Sequence, residues 1–285
     1  MSKFILSTDS GCDEFKTNLK KMDISYIPLC YIEGDNVHFD DYSTIEDYLF
    51  FYNELRQGKQ FKTAGLNPYD LEEYFKGLLT SGKDVVHLTL SSGLSGTYEV
   101  TRGVAERLNQ ENENKIYVVD SKSATGGQSF ILGALRKFRD SDLSAQEAFE
   151  QIKEVVDNLN VIFFVADLET LKRGGRISPL SATLGKVLQV KPLLQFDKEG
   201  KLQVVDKIMG SKKAIMKLTD KLSKNTIKEN TPIYLTHSDN VAMVSELVKL
   251  IETKVSNPVI IQNYIGPVIG SHTGPELLAI MFQTK

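Results

Sequence analysis

The chain has 285 residues, a hydrophobic content of 41% and a formal net charge of −3 at pH 7. This composition is ordinary for a folded globular protein, and the length favours about two domains over one. A chain with this charge lacks the global positive field that gathers nucleic acid or anionic lipid, so we expect no nucleic-acid partner.

The two cysteines, Cys12 and Cys30, lie neither in a C-x-x-C pair nor beside a histidine. The sequence therefore predicts no metal site and no disulfide framework, and a reduced cytoplasm fits this usage. The apolar stretch Phe4–Leu6 is too short for a secretory signal, and the run Val161–Ala166 is too short to cross a bilayer. We expect a cytoplasmic protein without a transmembrane segment, for which a transient membrane contact stays open.

Short apolar runs alternate with longer helical patterns, which is typical of βα units and a mainly parallel sheet. In the first half the short runs predict strands near Lys3–Thr8, Val85–Thr89 and Ile116–Val119. The longer patterns predict helices around Thr44–Arg56, Tyr69–Thr80, Thr97–Leu108, Ser129–Arg139 and Asp142–Asn158.

A second set of strands begins after Asn158. The candidates are Val161–Val165, Leu193–Phe196, Leu202–Ile208, Ile233–Thr236, Val259–Gln262 and Leu277–Phe282. Helices at Lys212–Leu222 and Val241–Thr253 would cover them, and Asp197–Gly200 is typical of a hairpin turn. We predict an α/β protein of two domains, 1–158 with a mainly parallel sheet and 159–285 with a mixed sheet.

Clusters of small polar residues occur where strands should end. They are Thr8–Gly11, Thr63–Asn67, Ser91–Thr97, Asp120–Gly127 and Gly266–Pro275. Ligands of open α/β sheets bind beyond the carboxyl ends of the strands, and loops rich in hydroxyl and N–H donors suit a phosphate or a carboxylate. Helix capping explains each single loop as well. None matches a P-loop or a G-x-G-x-x-G fingerprint, so the sequence supplies no nucleotide site.

The same clusters resemble the motifs of the DegV family. In the first half these are Thr8-Asp9-Ser10, Lys62-Thr63, Leu94-Ser95-Gly96-Thr97-Tyr98 and Val119-Asp120-Ser121. In the second half, and in family order, come Leu171-Lys-Arg-Gly-Gly-Arg-Ile-Ser178, Lys191-Pro192, His237-Ser-Asp-Asn240 and Ile269-Gly-Ser-His-Thr-Gly-Pro275. Each motif alone is weak, but the ordered set spans the whole chain and is specific.

The resemblance implies two α/β domains of the DegV type with a lipid site between or beside them. It implies a non-catalytic protein similar to the fatty-acid-binding subunit of bacterial fatty acid kinase. Such a subunit binds a long-chain fatty acid and presents its carboxylate to a partner ATP-dependent kinase, which makes an acyl phosphate for phospholipid synthesis. The fatty acid is the expected ligand, and no cofactor is implied.

Carried over position by position, the resemblance places carboxylate-binding hydroxyls at Thr63 and Ser95, with His272 and Arg176 close to the head group. Apolar residues that border the polar loops are candidates for the cavity lining: Leu94, Phe130, Val268 and Ile269.

Two local features qualify the implied site. Gly270 and Gly274 flank His272 and predict tight turns that would place its imidazole at a pocket mouth. Many family members carry Thr-Ser-Gln-Pro where this chain has Thr63-Ala-Gly-Leu66, so a neighbouring hydroxyl is missing at Ala64.

The energetics of such a site favour the tail over the head group. Burying about fourteen methylenes at about 0.8 kcal/mol each contributes on the order of 10 kcal/mol, whereas a hydrogen bond to a charged group adds about 1.5–3 kcal/mol. Hydroxyl donors orient a carboxylate without the full desolvation cost of a buried ion pair. Affinity would therefore come from the tail, and register from the head group.

Two other functions stay open on the sequence. The first is a phosphotransferase subunit resembling dihydroxyacetone kinase, in which His237 or His272 would hold a small carbonyl substrate. The second is a lipid-sensing regulatory protein. A small polar pocket would favour the phosphotransferase, whereas an elongated apolar cavity would favour either lipid-binding function.

Overall fold

The computed structural model describes residues 2–166, 168–177, 189–224 and 227–285, with the backbone alone at 223 and 224. Ser178, the last residue of the predicted Leu171–Ser178 motif, lies outside the described residues. Among those described, no helix combines the length and the hydropathy that crossing a membrane requires.

The described strands and helices follow one another in βα order through most of the chain. The strands are β1 (Phe4–Asp9), β2 (Ser25–Ile27), β3 (Cys30–Glu33), β4 (Asn36–Phe39), β5 (Lys62–Ala64), β6 (Asp84–Thr89), β7 (Ile116–Asp120), β8 (Leu159–Phe164), β9 (Val190–Phe196), β10 (Leu202–Met209), β11 (Ile233–His237), β12 (Ile260–Tyr264) and β13 (Leu278–Gln283). The helices are α1 (Lys16–Lys21), α2 (Ile45–Arg56), α3 (Pro68–Leu79), α4 (Thr97–Glu111), α5 (Gly126–Asp140), α6 (Ala145–Asp157), α7 (Glu169–Arg173), α8 (Ser211–Lys224), α9 (Val241–Glu252) and α10 (Pro267–Thr273).

The first large sheet is parallel, with the strand order β2-β1-β6-β7. Its strands are buried on both faces, as continuous apolar runs predict. Val85 faces α3 and α4, whose Phe75 and Leu108 belong to the same buried cluster. The next residue, Val86, faces the opposite side and packs in the cluster that contains Leu135 of α5. The predicted parallel sheet is confirmed.

The second large sheet is mixed, with the order β10-β9-β8-β13-β11-β12. Its neighbours are antiparallel except β11 and β12. Helices α8 and α9 cover one face, where Leu218 and Leu247 pack against Phe164 and Phe282. The predicted hairpin turn joins β9 and β10, with the Gly200 N–H donating to Asp197 O over 3.0 Å and Gly200 at φ 73°.

Helix α5 packs against both large sheets, since it contacts β1 and β6 of the first and β11 and β13 of the second. One buried cluster accordingly includes Leu6 of β1, Leu135 of α5 and Met281 of β13. The chain passes from one sheet to the other at Asn158, between α6 and β8. The division into 1–158 and 159–285 stays a prediction, because a single core spans both halves.

A small antiparallel sheet, β4-β3-β5, was not predicted. Its strands have three or four residues, and its outer face is exposed, so no alternating pattern marks it in the sequence. On its inner face Tyr31 contacts the rings of Phe51 and Phe61, both with centroids 5.7 Å away. Thr63 stands opposite Tyr31 in the register, so this sheet fixes the position of Thr63.

Candidate functional site

A cavity lies where the loops of the first sheet meet the inner face of the mixed sheet. It encloses about 850 Å³ of space not filled by protein atoms, a figure that includes open solvent. The mixed sheet contributes an apolar wall of Val161, Phe163, Phe196, Leu202, Ala279 and Met281. The opposite wall is also mostly apolar and includes Leu29, Leu90, Ala124, Val268 and Ile269.

Most of the polar lining residues lie at one end of this cavity, around Thr63 and His272, whereas Thr125 lines it beside Gly126 at the start of α5. The Thr63 Oγ1 and His272 Nε2 atoms lie 2.8 Å apart, within hydrogen-bond distance. Both residues line the cavity, together with Ser95 and Arg176. The structure thus brings the four predicted head-group residues to one cavity, while their role as ligands of a carboxylate stays a prediction.

The local setting of His272 differs from the expectation. Instead of tight turns, the structure has the helix α10, and His272 lies in its last turn. Pro267 at the start of this helix explains why it begins there, since proline is well suited to the first helical position. Gly270 packs closely on α2, where an added Cβ would stand 2.7 Å from Phe51 Cε1, so this glycine serves packing and not a turn.

The imidazole of His272 is held against Gly174. A Cβ on Gly174 would stand 2.2 Å from His272 Nδ1, so only glycine leaves room for the ring in this place. The Nδ1 atom is buried and has no hydrogen-bond partner among the residues that the structure describes. Burial, with the nearby positive charges of Arg176 and Arg173 adding to it, lowers the pKa of His272 to about 4. His272 is therefore neutral at pH 7.

Arg176 ties the segment after α7 to the loop before α4. Its Nε donates to Leu94 O over 3.1 Å, and its Nη1 donates to Gly174 O. Partial burial lowers the pKa of Arg176, but a guanidinium keeps its charge in proteins. The residue therefore brings one positive charge to the cavity wall.

Ser95 lies at the entry of α4, a helix of 15 residues. Its Oγ accepts a hydrogen bond from the Thr97 N–H over 3.2 Å and lies 2.9 Å from Thr97 Oγ1. Thr97 also lines the cavity, which the sequence analysis did not predict. The N-terminal end of a helix carries a partial positive charge, so this end of α4 favours an anion.

The predicted lining residues divide into two groups. Leu94, Val268 and Ile269 line the cavity. Phe130 does not lie among the described residues that line it, because the face of α5 that carries Phe130 turns toward Tyr234, with ring centroids 5.5 Å apart. Phe130 instead borders a separate open groove.

His237, the alternative catalytic histidine, lies outside the cavity lining. Its Nδ1 accepts a hydrogen bond from Asn240 N over 3.0 Å, and its ring centroid lies 4.3 Å from that of Tyr264. Burial lowers the pKa of His237 to about 4. These contacts give His237 a role in the turn that follows β11.

Three buried carboxyl groups lie beyond the start of α10. Asp13 and Asp40 approach each other at Gly266, where a Cβ would stand 2.7 Å from Asp13 Oδ1 and 3.1 Å from Asp40 Oδ2. Burial raises the pKa of Asp40 to about 8 and that of Asp13 well above its ordinary value. Asp9 accepts bonds from Leu90 N and Gly11 N, yet burial raises its pKa to about 6. Within the described residues, no group of three or more His, Cys, Asp or Glu side chains is arranged to hold a metal ion.

The protein is thus an α/β protein of two large sheets, one parallel and one mixed, with a mostly apolar cavity between them. A family model described as "Uncharacterised protein, DegV family" matches residues 3–285. The chain therefore belongs to the DegV family, and the predicted resemblance is confirmed.

Similar proteins cover the whole chain. A DegV domain-containing protein of Clostridium perfringens is 33% identical over 284 residues, which is 99% of this chain and 98% of the relative. Among solved structures, a DegV lipid binding protein from Thermotoga maritima has a TM-score of 0.85 and 27% identity, with 99% of this chain and 98% of that chain covered. A second Thermotoga maritima protein, described as revealing fatty acid binding function, has a TM-score of 0.85 and 26% identity over 100% of each chain. The predicted DegV-type fold is thus confirmed.

Proposed function

We propose that this protein binds one long-chain fatty acid, with the tail in the cavity and the carboxylate at Thr63, Ser95, Arg176 and His272. The observation that carries the proposal is the division of the cavity into apolar walls and one polar end. A small carbonyl substrate would leave those apolar walls without a partner. The descriptions of two similar proteins as lipid binding and fatty acid binding support the same ligand class.

The neutral state of His272 decides how Thr63 meets the ligand. When the imidazole carries its proton on Nε2, it donates to Thr63 Oγ1, and the threonine hydroxyl is left to donate to a carboxylate oxygen. The other tautomer would leave a buried N–H on Nδ1 facing Gly174, with no acceptor in the described part of the chain. The first tautomer is therefore preferred, and Thr63 acts as a donor.

Long-range electrostatics complete the head-group site. The charge of Arg176 and the N-terminal end of α4 both favour an anion at the polar end of the cavity. Arg176 already donates to two carbonyl groups, so it attracts the carboxylate without a close bidentate ion pair. The carboxylate is thus held mainly by neutral hydroxyl donors and keeps lone pairs free.

The second part of the proposal is that the bound carboxylate is presented to a partner ATP-dependent kinase in the cytoplasm, and that this protein is not itself catalytic. A carboxylate oxygen attacks the γ-phosphorus of ATP, the bond from that phosphorus to the bridging oxygen breaks, and acyl phosphate and ADP result. Such a transfer depends on positioning and on charge neutralisation around the phosphoryl group. The carrier supplies the position of the nucleophile, and the kinase supplies ATP and metal.

Mass spectrometry tests the ligand. Protein purified and then denatured should release long-chain fatty acid at about one molecule per chain. Release of a small polar compound, or failure of delipidated protein to take up added palmitate or oleate, would overturn the proposal.

A reconstituted reaction tests the partner. Loaded protein, ATP, Mg²⁺ and the kinase catalytic subunit should form acyl phosphate, trapped as the hydroxamate, and omission of any one component should abolish it. If protein loaded with fatty acid supports no acyl phosphate formation, the presentation to a kinase is wrong, and the lipid-sensing regulatory function is favoured instead.

A further inference from the structure

One row of side chains crosses the mixed sheet at the end of the cavity. Met281 on β13 pairs with Val161 on β8, and Phe196 on β9 pairs with Leu202 on β10. All four line the cavity. Because successive side chains of a strand point to opposite faces, Leu277, Ala279 and Met281 face the cavity in that order along β13.

The chain path separates Met281, at one end of this row, from Arg176 and His272. β8 runs from Val161 through Phe163 toward α7 and Arg176, while β13 follows α10, which carries His272. Since the two strands are antiparallel, the end of β8 and the start of β13 lie on the same side of the sheet. Met281 is therefore at the opposite side, about 13 Å from Leu277 at a rise of about 3.3 Å per residue.

The side chain of Met281 cannot retreat from the cavity. It is fully buried, and Thr236 Oγ1 lies 3.9 Å from its Sδ. Behind it begins α5, where a Cβ on Gly126 would stand 2.8 Å from Met281 Cε and 2.1 Å from Thr236 Oγ1. The cavity end is therefore closed by Met281, with α5 and β11 packed directly against it.

We propose that Met281 sets the longest acyl chain that the cavity accepts, an inference that rests on the proposed function. A tail that extends from the polar end meets the Met281 side chain with its terminal methyl group. Truncation to alanine removes Cγ, Sδ and Cε and leaves room for about two methylenes. Each buried methylene changes affinity about fourfold. Met281→Ala should therefore raise the preference for acids two carbons longer by about 15-fold.

Competition among chain lengths tests this proposal. Delipidated wild-type protein, Met281→Ala and Met281→Phe are each incubated with an equimolar mixture of saturated acids from myristic to arachidic, and the bound acids are quantified after denaturation. Met281→Ala should shift the bound distribution to longer acids and Met281→Phe to shorter ones. Met281→Val, which removes less, should give a smaller shift toward longer acids, so the test does not depend on folding of the alanine variant.

Ile280→Val is the matched control, because Ile280 is the next residue of β13, is equally buried and packs in the cluster on the opposite face. The distribution of chain lengths bound by Ile280→Val should equal that bound by the wild-type protein. The inference is overturned, and the proposed function stands, if the Met281 variants bind the same distribution of acids as wild-type protein. Cooperative thermal unfolding transitions establish that these variants are folded. If wild-type protein binds none of the acids, the proposed function fails and the inference with it.

Discussion

At the scale of single residues, the polar end of the cavity depends on hydroxyl groups whose removal changes little else. Thr63 is the clearest case, since its Oγ1 lies 2.8 Å from His272 Nε2 and it borders the cavity. Thr63→Val keeps the shape and removes the donor. We expect a loss of about 10- to 100-fold in fatty acid affinity, because a hydrogen bond to a charged group contributes about 1.5–3 kcal/mol. Isothermal titration calorimetry of delipidated protein with fatty acid measures this affinity.

Thr219→Val makes the same atomic change inside α8, where Thr219 Oγ1 donates to Ile215 O and lies away from the cavity. The fatty acid affinity of Thr219→Val should equal that of the wild-type protein. Equal affinities for all three proteins would remove Thr63 from the binding site.

Gly174 gives the second prediction at this scale, because it leaves the space that His272 occupies. Gly174→Ala should displace the imidazole from Thr63 and weaken binding by about tenfold, the loss of roughly one hydrogen bond. Gly103→Ala, at an exposed position of α4 with open space around it, is the control and should bind as the wild type does. A crystal structure of Gly174→Ala with the Thr63–His272 contact intact would contradict the prediction.

The four candidate head-group residues were predicted from family motifs and not from geometry, and the structure brings them to one cavity; the cavity lining was predicted only in part. Leu94, Val268 and Ile269 reach the cavity, whereas Phe130, which follows the polar loop Asp120–Gly127 in sequence, points to Tyr234. Which face of α5 meets the cavity depends on packing against both sheets, which no local pattern encodes. Thr97 was missed because a threonine at a helix start is usual for capping; its place two residues after Ser95 was the available signal.

At the scale of elements, the long periodic segments were predictable and the short ones were not. Apart from β2 and α1, which have three and six residues and were not predicted, the strands of the two large sheets and the helices α3–α6, α8 and α9 lie close to their predicted positions, because each buries a continuous stripe or run. The small sheet β4-β3-β5 has an exposed outer face and strands of three or four residues, and it packs on α2 through Tyr31 and Phe51 and on α10 through β3 and β5. The helix α10 was obscured by glycines that serve close packing.

The contact between the β9–β10 turn and the loop after β6 gives the prediction at this scale. Ser91 Oγ donates to Gly200 O over 2.8 Å, and a Cβ on Gly93 would stand 2.4 Å from the carbonyl of Gly200. Gly93→Ala should force these backbones apart and lower the free energy of unfolding by about 1–3 kcal/mol. Urea denaturation measures this loss.

Gly77→Ala in α3, an exposed position with nothing within 4 Å of the added Cβ, serves as the comparison. It should leave stability equal or slightly higher, since alanine is the better helix former. Equal stability of both variants would show that the turn and the loop can separate without cost.

At the scale of the whole molecule, the buried carboxyl groups make stability depend on pH. Burial raises the pKa of Asp40 in the folded state to about 8, whereas the ordinary pKa of an unfolded aspartate is 3.8. Between these two pH values the folded protein keeps a proton that the unfolded chain has lost. This contribution is full below pH 3.8 and is lost as the pH rises through about 8. Buried His87, whose pKa is lowered to about 3, acts in the opposite direction, but only below about pH 6.5, where unfolded histidine takes up protons.

The free energy of unfolding should therefore fall as the pH rises from 6.5 to 8, because in this range Asp40 contributes to the pH dependence and the buried histidine does not. Asp40→Asn, which cannot ionise, should flatten this slope and be more stable than the wild type at pH 8. Asp35→Asn, at an exposed position of the turn between β3 and β4, should keep the wild-type slope. Denaturant unfolding at several pH values measures the pH dependence of stability in the wild type and in both variants. If Asp40→Asn keeps the wild-type pH dependence, Asp40 is not its source.

The position of β13 has a consequence for biosynthesis. This strand comes last in the chain order, yet it lies inside the mixed sheet between β8 and β11. A nascent chain on the ribosome can complete the parallel sheet early, but β8 and β11 stay unpaired along these edges until residues 278–283 emerge. The wall formed by Leu277, Ala279 and Met281 is thus completed only after residues 278–283 have been synthesised, so the cavity cannot enclose a ligand before that point.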